Sequence, residues 1–195
     1  MKVPVLSLRP TQFALGMAEV EAKVAKFREM KHSGLQEYLD SHRVPVVRSP
    51  DDHHYLIDHH HLARACWEIG IEHIKVELEA DLSKLAHGEF WHEMQRREWL
   101  YLHDQFGNGP HPAELLPVDI RALADDPFRS LAWRLREEKG FNKSPKPFCE
   151  FSWANFLRAH IQTHPARLGF GHALQKALEL CHQPEAKRLP GYFEE

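Results

Sequence analysis

Four polar residues, Asp58, His59, His60 and His61, stand together between an apolar run and a run with helical spacing. Because polar groups are costly to bury without partners, we expect this tract at an exposed junction. The first amide groups of a helix and the positive end of its dipole favour an anion. An acid such as Asp58 can cap the helix, and it also suits a divalent metal that bridges a phosphate.

A helical wheel from residue 60 onward places Leu62 and Cys66 on the face that packs in the core. His60 and Arg64 are four residues apart and point elsewhere, so we expect them to act together on a phosphate. In this interpretation Asp58 holds a metal or acts as a base, and His60 is catalytic. The side chains expected to bind phosphate oxygens are His59, His61 and Arg64.

Two other interpretations of the tract remain open. In the first, Asp58 is only a helix cap, and the histidines are solvated residues of the first turn. In the second, the tract contributes to a zinc site whose ligands come from His53, His54, His60 and His61, although their spacing matches no standard zinc motif.

Two further segments carry candidate site residues. Glu19 lies where the first helix is expected to begin, so it is either a second candidate base or a first-turn acid paired with Lys23 four residues later. Lys23 is also a candidate phosphate binder.

Asp126-Pro127 is a strong helix start, which places Arg129 in a first turn. Arg129 either holds a phosphate through its planar guanidinium or is an exposed arginine.

Hydrophobic periodicity predicts the elements that position these residues. Strand patterns occur at 3–10, 44–47, 55–57 and 74–78, with a turn at Ser49-Pro50-Asp51-Asp52. Helical patterns occur at 19–30, 35–39, 60–69, 90–102, 126–139, 150–161 and 172–181. The prediction is therefore an α+β fold, in which residues 1–80 form a mixed α/β domain and residues 81–195 a mainly helical extension packed on it.

Composition narrows the function classes. The chain has 195 residues and a formal charge of −3, which does not support broad DNA binding. Sixteen histidines predict that the net charge changes sign on mild acidification. The three distant cysteines predict free thiols in a reducing compartment. Without a signal peptide or a membrane span, the expected location is cytoplasmic, with no membrane partner.

The segment YLIDHHHLARACWEIGIEHIKVEL resembles the central box of the ParB/sulfiredoxin superfamily. Its free serine kinases carry D-G-H-H-R, which Asp58, His60 and His61 match, whereas His59 replaces the glycine and Leu62 the arginine. Glu19 and Val20 resemble the E-V of those kinases, where the acid is the base. Sulfiredoxin has its catalytic cysteine where His60 stands, so the resemblance does not extend to that activity.

The strongest resemblance is to the group described as "putative ParB-like nucleases". It extends through LRPTQFALGMAEVEAK, DDPFRSLAWRLR, FCEFSWANFLR and LPGY, and so covers most of the chain. The resemblance implies a ParB/sulfiredoxin-like fold for residues 1–80. It also implies a phosphohydrolase, nuclease or phosphotransferase that binds a phosphorylated small molecule or a nucleotide such as ATP, ADP or CTP with Mg²⁺.

An alternative is a DNA-associated partition-type or regulatory module that uses nucleotide as a switch without catalysis. That class predicts a helix-turn-helix and a basic face, and the sequence displays neither.

Overall fold

The computed structural model describes residues 1–193, which form two compact units. The first unit comprises residues 1–15 and 20–124, and the second comprises residues 16–19 together with the chain from Asp125 onward. The α+β fold class is confirmed, because the strands of the main sheet lie in the first unit and the second unit is mainly helical. The division expected near residue 80 falls within the first unit.

A five-stranded mixed sheet organises the first unit, in the order β1-β6-β4-β5-β2. β4 pairs antiparallel with β5, as the turn between them predicted, and parallel with β6. β1 is antiparallel to β6, and β2 is parallel to β5. The strands of this sheet are β1 (Lys2–Pro4), β2 (Leu8–Pro10), β4 (Val44–Arg48), β5 (His54–Leu56) and β6 (His73–Asp81). The short strands β3 (Ala14–Leu15) and β7 (Ala124–Asp125) pair separately.

The segment 3–10, expected as one strand, forms the two strands at opposite edges of the sheet. A 3-10 turn, Val5–Ser7, separates them after Pro4, which has no amide hydrogen to continue a ladder. Residues 4 and 8 can be at most about 14 Å apart along the chain. The edges of a flat five-stranded sheet would lie about 19 Å apart. The sheet must therefore curl to bring its two edges to one short segment.

Four helices complete the first unit. They are α1 (Met17–Glu29, whose first residues belong to the second unit), α2 (His32–Ser41), α3 (His60–Glu68) and α4 (His87–Arg96). The helix expected to reach residue 102 ends at Arg96, because Glu98 adopts a positive φ and the amide of Trp99 donates to the carbonyl of Met94. Phe90 and Met94 of α4 pack with Val47 and Tyr55 in a buried cluster.

The second unit is built around one aromatic and aliphatic core. Trp153 is fully buried and stacks on Phe141, with ring centroids 4.4 Å apart. The predicted helix start at Asp126 is confirmed, since its Oδ1 accepts hydrogen bonds from the amides of Phe128 (2.9 Å) and Arg129 (3.1 Å). The helices are α5 (Pro127–Glu137), α6 (Cys149–His160), α7 (Pro165–Leu168) and α8 (Phe170–Leu180).

Gly16, which immediately precedes α1, approaches the backbone of α5 closely. A Cβ atom at Gly16 would lie 2.8 Å from the backbone nitrogen of Ser130 and 2.9 Å from its Cα. We expect Gly16→Ala to destabilise the protein by about 1–3 kcal/mol, because backbone atoms must shift to admit the methyl group. Gly88→Ala is the matched control, since nothing lies within 4 Å of a Cβ there. Equal unfolding midpoints in urea for the two variants would contradict this interpretation.

The predicted free thiols are confirmed. Cys66, Cys149 and Cys181 are buried and form no disulfide. Burial raises the pKa of Cys66 to about 12, and burial with the nearby Glu150 carboxylate raises the pKa of Cys149 to about 11. Thiols with such pKa values stay protonated and are poor nucleophiles. Within residues 1–193, no helix has the length and apolar character needed to cross a bilayer.

Candidate functional site at the start of helix α3

The junction between β5 and α3 depends on a left-handed residue. His59 is the N-cap of α3 and has φ 64° and ψ 26°. Glycine adopts this conformation at little cost, which explains why glycine stands here in the D-G-H-H-R box. Oδ1 of Asp58 accepts a hydrogen bond from the amide of His59 at 2.6 Å. The expectation that Asp58 caps the first turn is therefore wrong: Asp58 fixes the turn before α3, and its side chain stays exposed.

His60 points into the first unit rather than away from its core, so the orientation expected from the wheel is wrong. The residue is only 5% exposed, and its Nε2 accepts a hydrogen bond from the amide of Thr11 at 3.2 Å. The hydroxyl of Thr11 donates to the carbonyl of Leu56 at 2.8 Å. Burial lowers the pKa of His60 to about 3, so the ring is neutral. A catalytic role would require His60 to exchange the Thr11 bond for one to a ligand.

Arg64 also makes contacts within the first unit. Its Nε donates to Glu68 at 2.9 Å, and its Nη1 lies 3.2 Å and 3.3 Å from the carbonyl oxygens of Ile120 and Arg121. The guanidinium also lies over the ring of Trp67, 5.0 Å from its centroid. These bonds hold the 3-10 turn at residues 120–122 against α3. Phosphate binding by Arg64 stays a prediction that competes with this structural role.

We expect Arg64→Ala to cost about 1.5–3 kcal/mol of stability, because it removes charge-assisted hydrogen bonds to two carbonyl groups. Arg134→Ala is the control, since Arg134 forms an exposed pair with Glu138 that is worth under about 1 kcal/mol. Chemical denaturation of both variants measures the difference. A nucleotide-affinity loss in Arg64→Ala without any loss of stability would instead support direct ligand contact.

The ring of His59 is partly buried, and its Nδ1 has no hydrogen-bond partner. Burial is the main cause that lowers its pKa, and the charges of His42 and Lys23 act in the same direction. Asp58 and a hydrogen bond to the backbone carbonyl of Arg43 oppose the shift. A bond from Nε2 to that carbonyl leaves a lone pair on Nδ1. The sequence predicted only that His59 binds phosphate. No local pattern in the sequence predicts which of its two ring nitrogens carries the proton.

The remaining residues of the predicted site lie in two places. His61 is buried in the first turn of α3, and Lys23 lies on α1, from where its charge acts on His59. Glu19 and Arg129 belong to the second unit, where Nη2 of Arg129 donates to Oε2 of Glu19 at 3.2 Å. Arg129 is 6% exposed, so the simple alternative of an exposed arginine is wrong.

Few side chains at the junction are placed to hold a metal ion. Among residues 1–193, no group of three or more histidine, cysteine, aspartate or glutamate side chains is arranged to hold a metal. The tract therefore does not assemble the multidentate set of a structural zinc site. Mg²⁺ commonly uses one or two carboxylates together with substrate phosphates. Asp58 fits that mode, with the ligand supplying the phosphate oxygens.

Comparison with known proteins gives a consistent result. Residues 1–159 match the family model described as "Putative ParB-like nuclease". The crystal structure of protein Atu1540 from Agrobacterium tumefaciens is similar with a TM-score of 0.90 and 40% sequence identity, covering 100% of this chain and 98% of that one. No curated protein matches the chain. The residues that resemble the ParB/sulfiredoxin box thus lie within the matched region, and the chain belongs to the ParB-like family that this model describes.

Proposed function

We propose that this protein binds a nucleotide or another phosphorylated ligand at the start of α3 and acts on it as a phosphohydrolase, nuclease or phosphotransferase. The observation that carries the proposal is the His59 ring, whose Nδ1 is buried and has no partner in a turn next to a helix N-terminus. A buried ring nitrogen without a hydrogen-bond partner costs folding free energy unless a ligand or a water molecule bonds to it. No N-cap side chain accepts from the amides of α3, which favours an anion there.

The arrangement suits acid–base chemistry beside a bound phosphate. The lone pair on Nδ1 of His59 can take a proton from an attacking water or hydroxyl group. The neighbouring Asp58 carboxylate, which opposes the lowering of the His59 pKa by burial, would stabilise the imidazolium that forms. Lys23 adds positive charge near the same ring and would attract phosphate oxygens. Mg²⁺, if bound with the ligand at Asp58, would neutralise phosphate charge.

Calorimetric titration tests the proposal directly. The full chain is titrated with ATP, ADP and CTP, each with and without Mg²⁺, and separately with a short DNA duplex. We expect at least one nucleotide to bind and Asp58→Asn to reduce the Mg²⁺-dependent part of the affinity. His92→Ala, at an exposed position on α4, is expected to bind like the wild type. Binding of the duplex alone would favour the partition-type alternative, and the absence of any binding would refute the proposal.

A further inference from the structure

A buried arginine in the second unit has hydrogen-bond donors that no protein group fills. The side chain of Arg129 is 8% exposed, and its Nη2 donates to Glu19. Its Nε and Nη1 are buried and have no hydrogen-bond partner. A guanidinium keeps its charge at every physiological pH, so these donors cannot be removed by deprotonation. Native proteins usually fill such donors with protein groups, ordered water or a bound anion.

The surroundings of Arg129 hold the guanidinium in place. It lies over the face of Phe151, 5.5 Å from the ring centroid, in a cation–π contact. The first amides of α5 are already occupied by Oδ1 of Asp126, whose other oxygen accepts a bond from Arg158 at 2.6 Å. The donors that remain unfilled therefore belong to the Arg129 side chain and not to the helix terminus.

We propose that Arg129 and Glu19, both in the second unit, form a binding site for a phosphate group that retains an O–H. The unfilled N–H groups of Arg129 match the oxygens of an oxyanion. The Glu19 carboxylate 3.2 Å away repels a fully ionised oxyanion but accepts a hydrogen bond from a P–OH group. Inorganic phosphate carries such a hydroxyl in both of its forms near neutral pH, whereas a phosphomonoester carries one only as its monoanion, below a second pKa of about 6.

The pair therefore discriminates between two tetrahedral anions of similar size. Sulfate has no O–H at neutral pH, so its oxygen would face the Glu19 carboxylate without a proton between them. Phosphate can place its hydroxyl there and its remaining oxygens against Arg129. Selectivity for phosphate over sulfate is the property that distinguishes this site from a simple positive patch, which would bind both anions.

The experiment is a calorimetric titration of the full chain with inorganic phosphate and with sulfate, in a buffer free of both and at constant ionic strength. We expect the wild type to bind phosphate at least about tenfold more tightly than sulfate, the size of one charge-assisted contact. Glu19→Gln should bind the two anions within about threefold of each other, because the amide can donate to sulfate. Arg134→Gln, exposed on the same helix, should leave both affinities unchanged.

Arg129→Gln should abolish phosphate binding, but it also removes the buried ion pair with Glu19 and so requires a thermal melt. If that variant is unfolded, Arg129→Lys decides, because a single ammonium keeps the charge and loses the planar donor set. A tenfold or greater loss of phosphate affinity in Arg129→Lys supports the site. Equal binding of both anions by the wild type, or no binding, overturns it. Loss of phosphate binding in His59→Gly but not in Arg129→Lys overturns it too, and leaves the function proposed for α3 standing.

Discussion

Acidification from pH 7.5 to 5 should remove about 2 kcal/mol of stability through His60 alone. In the unfolded chain this histidine titrates near its ordinary value of 6.5, whereas in the folded protein burial holds its pKa at about 3. Below pH 6.5 the unfolded state therefore binds a proton that the folded state does not. The neutral ring contributes its full stability above pH 6.5, and this contribution falls by about 1.4 kcal/mol for each pH unit on the way to pH 3.

Urea denaturation at several pH values measures this slope, and His60→Gln is the informative variant. Its side-chain oxygen can still accept from the amide of Thr11, but it does not titrate. The variant should be less stable at pH 7 and should lose less stability than the wild type between pH 6.5 and 5. His92→Gln, at an exposed position, should keep the wild-type slope. Parallel slopes for wild type and His60→Gln would show that His60 is not the buried neutral group described above.

Asp58→Asn and His59→Gly should each lower turnover of a bound nucleotide by roughly 10²–10⁴, the range typical of lost acid–base assistance. Glycine is the sharper replacement at position 59, because it adopts the left-handed conformation without strain while removing the ring. Phosphate release from ATP or CTP with Mg²⁺ is the readout. Nucleotide affinity is measured separately, so that an effect of the substitution on binding can be distinguished from an effect on the chemical step.

The control for this series is structural. His59→Gly should keep a melting temperature close to that of the wild type, because glycine adopts the positive φ at position 59 without strain. Asp58→Asn retains an oxygen that can accept from the amide of His59. A folded His59→Gly variant with wild-type turnover would exclude His59 as the base. Unchanged turnover in both variants would leave the tract as a structural turn.

Local signals predicted local features well. Asp126-Pro127 marked the start of α5 because N-capping depends on a few neighbouring residues, and the turn at 49–52 correctly joined β4 to β5. The segment 3–10 was misread because its separation into two strands depends on partners 46 to 73 residues away. The alternation of apolar and polar residues in one segment predicts a strand, but it does not predict which other strand that segment pairs with.

The candidate site illustrates the same distinction. The tract at 58–61 marked the junction itself, and the resemblance to D-G-H-H-R identified its glycine position. The direction of His60 depends on Thr11, and the burial of Arg129 depends on residues that pack over α5; neither contact is visible from spacing. The helical wheel was wrong for His60 because consecutive residues of the first turn of α3, from His60 to Ala63, are all buried, not only those on one face. The chemical roles of the site residues stay predictions for the variants above.

The curled sheet has a consequence for behaviour at high concentration. Both edge strands, β1 and β2, are three residues long and end in proline, so each presents few amide groups to a neighbouring chain. Where β6 extends beyond β1, its exposed residues include Glu77 and Glu79, whose like charges repel a second copy. Short, proline-terminated and charged edges oppose the strand-to-strand stacking that begins aggregation. The first ten residues of the chain thus complete the sheet and give it edges that disfavour pairing with further strands.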